Sequence, residues 1–446
     1  MNKITKHPLY QKSDEIKRAL FLNGFTFFDR DESRELIETE ASVELFHEPE
    51  KLRARQMTTG DGSYSLRTRL LPEHLPLFPK KIPLRAAVSG RIYDGSDTMY
   101  PQHERIEGVI ADKSITITDL SVLWQKIIQN IYGIHSCVSL EPESNGAFSI
   151  NVGTKGSDLT FGYLGPGTWV ARSILGITDS SISLWIFTID VDMIVIHDLS
   201  LAHRKDLYDT RLSFTGILED STPFFGDLFS ARAADVMRKM GYCQFIGERF
   251  YTDDAYVRMN MVQEAWDTNN KGILLQDPLK DYNNPLTSET ERAGLPTVLT
   301  PALEQAMSDN FSAGEKSLRI FELGHIFKPG KNGEVPWETI SLSVGAYGPE
   351  VNFRSFLTEI KTILQMLGIS NSFFIPTDLA IAYRQDQCMV ILDEKMKYLD
   401  GNCGHISPVA LKNFRIDTEG FMAQFELPSL EAKAREEYGF VPYELR

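Results

Sequence analysis

The stretch Gly90-Arg91-Ile92-Tyr93 has a near copy at Gly324-His325-Ile326-Phe327, and the sequence that follows is also alike in the two places. In each, a polar loop leads to an apolar, strand-like run and then to a helix-like segment. That segment ends at Gly133-Ile134 in the first copy and at Gly368-Ile369 in the second. A repeat of roughly 220 to 235 residues is far longer than the units of solenoid proteins, which run about 20 to 50. The chain is therefore predicted to contain two related domains joined head to tail.

The match extends upstream of each glycine stretch. Residues 14–25 are predicted to form a helix that runs into Asn-Gly-Phe, and residues 231–242 a helix that runs into Met-Gly-Tyr. We place the domains at residues 1–205 and 206–446, with the join near residues 201–225. Since this join contains no low-complexity linker, we expect the two halves to pack together.

Each copy is predicted to be an α+β domain built on an antiparallel sheet. In residues 118–132, apolar side chains recur at spacings of three and four, which is typical of a helix with one face on a sheet. Thr118 or Asp119 is predicted to cap its N-terminus, and Gly133 to end it. The other predicted helices are 13–22, 170–175 and 353–367, and the predicted strands are 86–93, 106–111, 148–152, 183–189, 340–344, 390–392, 405–406 and 421–427.

Composition limits the classes of protein that fit. The chain has 446 residues, 42% of them hydrophobic, and a formal net charge of −15, which disfavours broad electrostatic binding of nucleic acid. Its four cysteines are scattered and its histidines are dispersed, so we expect neither a disulfide framework nor a metal site. Without a signal-like or membrane-spanning apolar run, a cytoplasmic protein with no membrane contact is predicted. Lys51, Arg53 and Arg55 are interpreted as solvated surface.

Two passages resemble a known family. Gly90-Arg-Ile-Tyr, with Glu104-Arg-Ile-Glu-Gly-Val-Ile-Ala-Asp-Lys113 after a loop, resembles motif 2 of the α subunit of phenylalanyl-tRNA synthetase. Leu66-Arg-Thr-Arg-Leu-Leu-Pro72 resembles the family's Leu-Arg-Thr-His-Thr-Ser-Pro. In the second half, Asn284-Pro-Leu-Thr-Ser-Glu289 and Arg319-Ile-Phe-Glu-Leu-Gly-His-Ile-Phe327 follow the order of the β-subunit core.

The resemblance implies two class II aminoacyl-tRNA-synthetase-like domains, an α-subunit-like core fused to a non-catalytic β-subunit-like core. It implies an enzyme that binds an amino acid and ATP, with Mg²⁺ arriving on the nucleotide, and forms an aminoacyl-adenylate. The acceptor of the aminoacyl group would be the acceptor end of tRNA or another molecule, and the α-like half would form a homodimer.

The family pattern also assigns candidate site residues. Glu107 keeps the glutamate of motif 2, and a glycine-rich strand before a helix resembles motif 3. The resemblance predicts catalytic roles for Arg91, Arg105 and Glu107 and substrate-binding roles for Arg69, Glu104, Gly165, Gly167 and Arg172.

The sequence departs from the family at several of these positions. Asp94 replaces the arginine that contacts the α-phosphate, and Arg105 replaces the glutamine that holds the substrate ammonium. At motif 3 the Glu-Arg pair is replaced by Trp169-Val170, and Arg172 lies about 200° further around the helix. These changes leave three hypotheses open. The chain is an active ligase of the phenylalanyl-tRNA-synthetase type, or a catalytically inactive pseudo-synthetase that binds a ligand or assembles with a partner. The third hypothesis is an activating enzyme of a biosynthetic pathway in which Arg69 and Arg105 bind a different substrate.

Overall fold

A computed structural model describes residues 7–30, 33–38, 55–59, 62–96, 100–143, 146–154, 157–209, 228–247, 250–251, 258, 294–328, 330, 335–377 and 382–438. The described residues of Pro8–Leu207 form one compact unit, called the first unit below. Those of Asp227–Arg446 form another, the second unit. The stretch 284–289 that resembles a β-subunit motif lies outside the described residues.

The first unit has five α-helices and nine strands in its described part. The helices are α1 (Pro8–Leu22), α2 (Leu71–His74), α3 (Ile117–Tyr132), α4 (Trp169–Ile174) and α5 (Val191–Leu199). The strands are β1 (Thr26–Phe27), β2 (Leu36–Glu38), β3 (Tyr64–Leu66), β4 (Leu84–Tyr93), β5 (Gln102–Lys113), β6 (Cys137–Pro142), β7 (Phe148–Thr154), β8 (Ser157–Pro166) and β9 (Ile182–Asp190).

Seven of these strands form one sheet in the order β1-β4-β5-β9-β8-β7-β6. Only the β1–β4 pair of this sheet is parallel, and its other neighbours are antiparallel. On one face Trp124 packs edge-on against Phe187, with ring centroids 5.3 Å apart. Gly108 makes this packing feasible, because a Cβ there would lie 2.4 Å from Phe187. The glycine after Glu107 is therefore required by the core.

The second unit repeats the scheme. Its described helices are α6 (Phe229–Lys239), α7 (Thr300–Ser312), α8 (Phe353–Leu367), α9 (Pro408–Asn413) and α10 (Leu427–Tyr438). Its described strands are β10 (Cys243–Gln244), β11 (Leu318–Lys328), β12 (Trp337–Tyr347), β13 (Ser372–Pro376), β14 (Tyr383–Asp393), β15 (Tyr398–Ile406) and β16 (Gly420–Glu426).

The second seven-stranded sheet has the order β10-β11-β12-β16-β15-β14-β13. Position for position this is the order of the first sheet, and again only the first pair is parallel. Gly90 pairs with Arg105 in the first sheet, and Gly324 pairs with Ser341 in the second. The predicted duplication and the α+β fold class are confirmed.

The helix after the second long strand of each sheet begins with a capping box. In α3 the cap is Thr116, whose side chain accepts from Asp119 while Asp119 accepts from the Thr116 backbone. The prediction of Thr118 or Asp119 as the cap was wrong by two or three residues, because the reciprocal bonds favour an earlier start. The predicted stop at Gly133 is confirmed, with a φ of 88°. In α8 the corresponding cap is Asn352, paired with Ser355.

Several strands were not predicted from periodicity. β6 and β13, the outer strands of the two sheets, carry mostly exposed residues and so lack an alternating apolar pattern. The small β2–β3 ladder was also missed. Among the described helices, none is both long and apolar enough to cross a membrane.

Candidate active site

Three predicted site residues meet at the face of the first sheet that carries α2. Arg105 and Glu107 lie two positions apart on β5, so their side chains point to the same face. The Glu107 side chain is fully buried, and its Oε2 accepts hydrogen bonds from the backbone N–H groups of Leu70 (3.0 Å) and Leu71 (3.1 Å). Its Oε1 lies 3.3 Å from Nη1 of Arg69 and 3.9 Å from Nη1 of Arg105. We call Arg69, Arg105 and Glu107 the arginine–glutamate cluster.

The two arginines of the cluster lie at the edge of solvent, with 23% of the Arg69 side chain and 17% of the Arg105 side chain exposed. Burial lowers the pKa of Arg69 below its usual value, and the charges of Arg105 and Arg55 lower it further against the opposing effect of Glu107. Nε of Arg105 is buried and donates to no atom of the described residues. The cluster therefore concentrates positive charge with a donor to spare, which suits an anionic ligand.

Acidic residues from the end of β9 border the cluster. Asp190 pairs with Arg105 across the strands, with Oδ2 at 3.7 Å from its Nη2 and at 3.6 Å from Nη2 of Arg204. Burial alone would raise the pKa of Asp190, but these two arginines and His103, whose Nδ1 lies 3.8 Å from Oδ2, hold it well below the usual range. Asp190 is thus ionised and helps to fix the Arg105 guanidinium.

Asp192, two residues on, is fully buried and accepts from the backbone N–H of Glu104 at 2.8 Å. Burial and the neighbouring charge of Asp190 raise its pKa to about 6, although Arg204 at 3.5 Å opposes the shift. Sequence reasoning missed these residues. Two aspartates spaced two residues apart at the end of an apolar strand are the signal that could have identified them.

Arg91 and Glu104 do not join the cluster. They are cross-strand partners, and Glu104 adjoins Arg105 on β5, so the alternation of the strand places both on the opposite face of the sheet. Arg91 is buried, with Nη1 4.0 Å from Oε1 of Glu35. Burial lowers its pKa, but Glu35 together with Tyr93, Tyr10 and Glu104 raises the pKa well above its usual value. Burial raises the pKa of Glu104 to about 7 against the charge of Arg91. The catalytic role of Arg91 and the substrate-binding role of Glu104 remain predictions, and the position of these residues on the opposite face of the sheet does not support them.

The motif 3 residues mainly shape the backbone. A Cβ at Gly167 would lie 2.4 Å from the Leu184 side chain, so only glycine fits the approach of this strand end to β9. At Gly165 the nearest atom to such a Cβ is 3.6 Å away, which leaves ordinary room. Arg172 donates to the backbone carbonyls of Ile182 and Asp179, each at 2.7 Å, and so holds the loop before β9. Its guanidinium is engaged away from the arginine–glutamate cluster.

Asp94 and Arg55 form an ion pair at the end of β4, with Nη1 of Arg55 3.4 Å from Oδ2. Burial would raise the pKa of Asp94, but hydrogen bonds from Ser96 and the charge of Arg55 hold it below its usual value. Arg55 was interpreted as solvated surface, and half of its side chain is indeed exposed. Its charge nevertheless contributes to the lowered pKa of Arg69. In the part of the chain that is described, no group of three or more His, Cys, Asp or Glu residues is placed to hold a metal ion.

Comparison with known proteins identifies the families that the two halves of the chain resemble. Residues 1–146 match the family model described as the tRNA synthetases class II core domain (F). The first part of the chain is a class II aminoacyl-tRNA synthetase core domain. Residues 226–427 match the phenylalanyl tRNA synthetase beta chain CLM domain. The chain is thus built from domains of the phenylalanyl-tRNA synthetase family, an α-subunit-like core followed by a β-subunit-like core, and the predicted resemblance is confirmed.

The similar proteins are distant and longer than the matched regions. A phenylalanine–tRNA ligase beta subunit from Geobacter sulfurreducens is 22% identical over 279 residues, which cover 60% of this chain and 33% of the relative. An alpha subunit from Moorella thermoacetica is 27% identical over 147 residues, covering 31% of this chain and 42% of the relative. A pyrrolysyl tRNA synthetase structure from Desulfitobacterium hafniense aligns with a TM-score of 0.36 and 13% identity, over 47% of this chain and 68% of that one. The chain therefore spans less than half the length of the two curated relatives described here.

Proposed function

We propose that the first unit is an ATP-dependent ligase that activates an amino acid, with the arginine–glutamate cluster as its anion-binding site. The observation that carries this proposal is that one buried carboxylate, Glu107, lies within reach of two arginines at the edge of solvent. Arginines fixed before the ligand arrives stabilise negative charge without reorganisation. Glu107 itself is fully occupied by its bonds to Leu70, Leu71 and Arg69, so it acts as a positioning residue.

In the proposed reaction a carboxylate oxygen of the amino acid attacks the α-phosphorus of ATP. The bond between the α-phosphorus and its bridging oxygen breaks, pyrophosphate leaves, and an acyl-adenylate forms. Arg69 and Arg105 would neutralise the carboxylate and the phosphate oxygens as they approach each other. Any Mg²⁺ would be held mainly by the phosphates, in keeping with the lack of a metal-binding group among the described residues.

Amino-acid-dependent exchange of pyrophosphate into ATP tests the proposal directly. The full chain would be assayed against the standard amino acids and a set with acidic or enlarged side chains. Arg69→Ala and Arg105→Ala are each expected to reduce exchange about 100-fold, the scale of one lost charge-stabilising donor. Lys113→Ala, an exposed position at the far end of β5, is the matched control and should leave exchange unchanged.

The second hypothesis is a pseudo-synthetase that binds a ligand without forming the adenylate. Three observations favour it: Arg91 faces the other side of the sheet, Arg172 is committed to backbone carbonyls, and a carboxylate stands at Asp94. Calorimetric binding of ATP or an amino acid with no exchange would support this hypothesis and reject the ligase. Loss of both binding and exchange across the panel would reject both.

The acceptor and the assembly are further parts of the proposal. A ligase of this family would transfer the aminoacyl group to the acceptor end of tRNA or to another molecule, and transfer from a preformed adenylate to total tRNA tests the first of these. The proposal includes a homodimer formed through the α-like unit and action in the cytoplasm. Light scattering at micromolar concentration tests the dimer, since a monomer there would contradict it.

A further inference from the structure

The second unit carries a polar row where the first unit carries Glu107. Cross-strand partners share a face of a sheet, and the pairs Glu322–Ser343, Ser343–Gln424 and Gln424–Asn402 run across β11, β12, β16 and β15. In the first sheet the matching row is Val88, Glu107, Thr188 and Tyr163. The row of the second unit therefore lies at the position of the candidate active site, although its residue types differ.

Helix α7 packs over this face and adds a carboxyl group. Leu303 and Met307 of α7 meet the backbone of Gly345, which shares the face with Ser343. Glu304, the neighbour of Leu303, is fully buried, and neither of its carboxyl oxygens has a hydrogen-bond partner among the residues that the structure describes. The charge of Glu304 acts on the phenol of Tyr383, whose hydroxyl donates to Oδ1 of Asn402 at 2.5 Å. Glu304 thus lies beside the row.

The polar groups around Glu304 are mainly acceptors. Ser343 is fully buried, and within the described part of the chain its Oγ has no partner and the buried Oε1 of Gln424 has no donor. Oε1 of Glu322 accepts from the backbone N–H of Gly247 at 2.6 Å. The hydroxyl proton of Tyr383 is used by Asn402. A buried acceptor without a donor is unfavourable, so a cluster of such acceptors favours a ligand that supplies donors.

The charged and titratable side chains that face Glu304 do not supply these hydrogen-bond donors. Glu322 on β11 is acidic, and Tyr347 on β12 donates to the carbonyl of Glu315. Arg258 donates to Gln305 at 3.0 Å and lies over the ring of Phe414. Burial is the one cause of the raised pKa of Glu304, about 8, so no charge of the described residues compensates it.

We propose that Glu304, Ser343 and Gln424 form a binding site for a primary ammonium group in the β-like unit. The ammonium would donate to a carboxyl oxygen of Glu304, to Oγ of Ser343 and to Oε1 of Gln424, and its charge would be balanced by the ionised Glu304. This site is separate from the arginine–glutamate cluster and does not depend on the ligase activity proposed for that cluster.

Binding calorimetry on the full chain tests this site, with methylamine, ethanolamine, putrescine and phenylalaninamide as probes. Tetramethylammonium, which has the charge but no N–H donor, and potassium chloride are the matched control ligands. Primary amines are expected to bind and the two controls to fail. Because the cation must displace a proton from Glu304, the affinity for methylamine, ethanolamine and putrescine, which stay protonated, should rise about tenfold per pH unit between pH 6 and 8.

Glu304→Gln should weaken amine binding at least about tenfold, since it removes the balancing charge and keeps the shape. Glu419→Gln, an exposed glutamate of the same unit, is the matched control and should bind amines as the unaltered chain does. Should Glu304→Gln fail to fold, Ser343→Ala carries the same expectation. Equal binding of potassium, amine binding that survives these substitutions, or no amine binding at all would each overturn the proposal.

Discussion

Arg69 and Glu107 lie 3.3 Å apart, and the same carboxylate accepts from two backbone N–H groups at the start of α2. Glu107 thereby joins β5 to the segment that carries Arg69, so the position of a cation depends on a buried structural contact. Because the charge is fully removed from water, the arrangement is stable only while its partners remain.

The first prediction concerns that contact. Glu107→Ala leaves the N–H groups of Leu70 and Leu71 without an acceptor and two arginines without their shared counter-charge, so the free energy of unfolding should fall by about 3 to 5 kcal/mol. Glu107→Gln keeps one acceptor and should lose less. Urea denaturation followed by circular dichroism measures both, with exposed Glu143→Gln as the control. A loss below that of the control would show that the buried bonds are not stabilising.

The second prediction concerns Asp94, which stands where the family pattern has a phosphate-binding arginine. Asp94→Asn removes a negative charge from the site and releases Arg55, which lies 3.4 Å away in an ion pair. Since such partly exposed pairs are worth about 1 kcal/mol or less, the affinity for ATP should rise about fivefold at most. Calorimetric titration measures the change, and Asp112→Asn at the opposite end of β5 is the control. Weaker ATP binding in Asp94→Asn would place the nucleotide elsewhere.

The third prediction separates the observed helix cap from the one that sequence favoured. The side chain of Thr116 accepts from the backbone of Asp119 at 3.2 Å, whereas Thr118 is exposed inside the first turn. Thr116→Ala should cost about 1 kcal/mol of stability, and Thr118→Ala should be near neutral. Asn352→Ala tests the equivalent cap in the second unit and should cost about as much. Chemical denaturation of the three variants measures these losses of stability. A larger loss for Thr118→Ala than for Thr116→Ala would contradict the observed cap.

Much of the fold could be predicted from the sequence, because both halves show the same pattern of strands and helices. Long inner strands such as β5 and β9 carry alternating or continuous apolar residues, and helices such as α3 and α8 carry an apolar stripe, so these elements were predicted. The long inner strand β11 was not. The outer strands β6 and β13 were not, since an edge strand with mostly exposed residues is stabilised by pairing with its neighbour and leaves no period.

The candidate site was predicted only in part. Side chains alternate along β5, so Arg105 and Glu107 share one face and Glu104 lies on the other. The spacing in the sequence is enough to predict this. The ion pair of Arg55 with Asp94 could not be predicted from the sequence, because it depends on tertiary contacts between distant parts of the chain. Glu304 was likewise missed, since a glutamate is common in a helix, and only the packing of α7 on its sheet shows that this one is fully buried.

The last prediction follows from the buried carboxyl of Glu304. Burial raises its pKa from an ordinary 4.5 to about 8, so between these pH values the folded chain holds a proton that the unfolded chain has released. Its contribution to stability is therefore complete below pH 4.5 and is lost as the pH rises to about 8, by up to about 1.4 kcal/mol per pH unit. Glu304→Gln cannot ionise, so its stability should fall less steeply over this range than that of the unaltered chain. Denaturant titrations from pH 5 to 9 compare the two, with Glu419→Gln as the exposed control. Parallel pH profiles for Glu304→Gln and the unaltered chain would mean that Glu304 ionises as easily in the folded protein as in the unfolded one, and an uncompensated buried carboxyl could not do so.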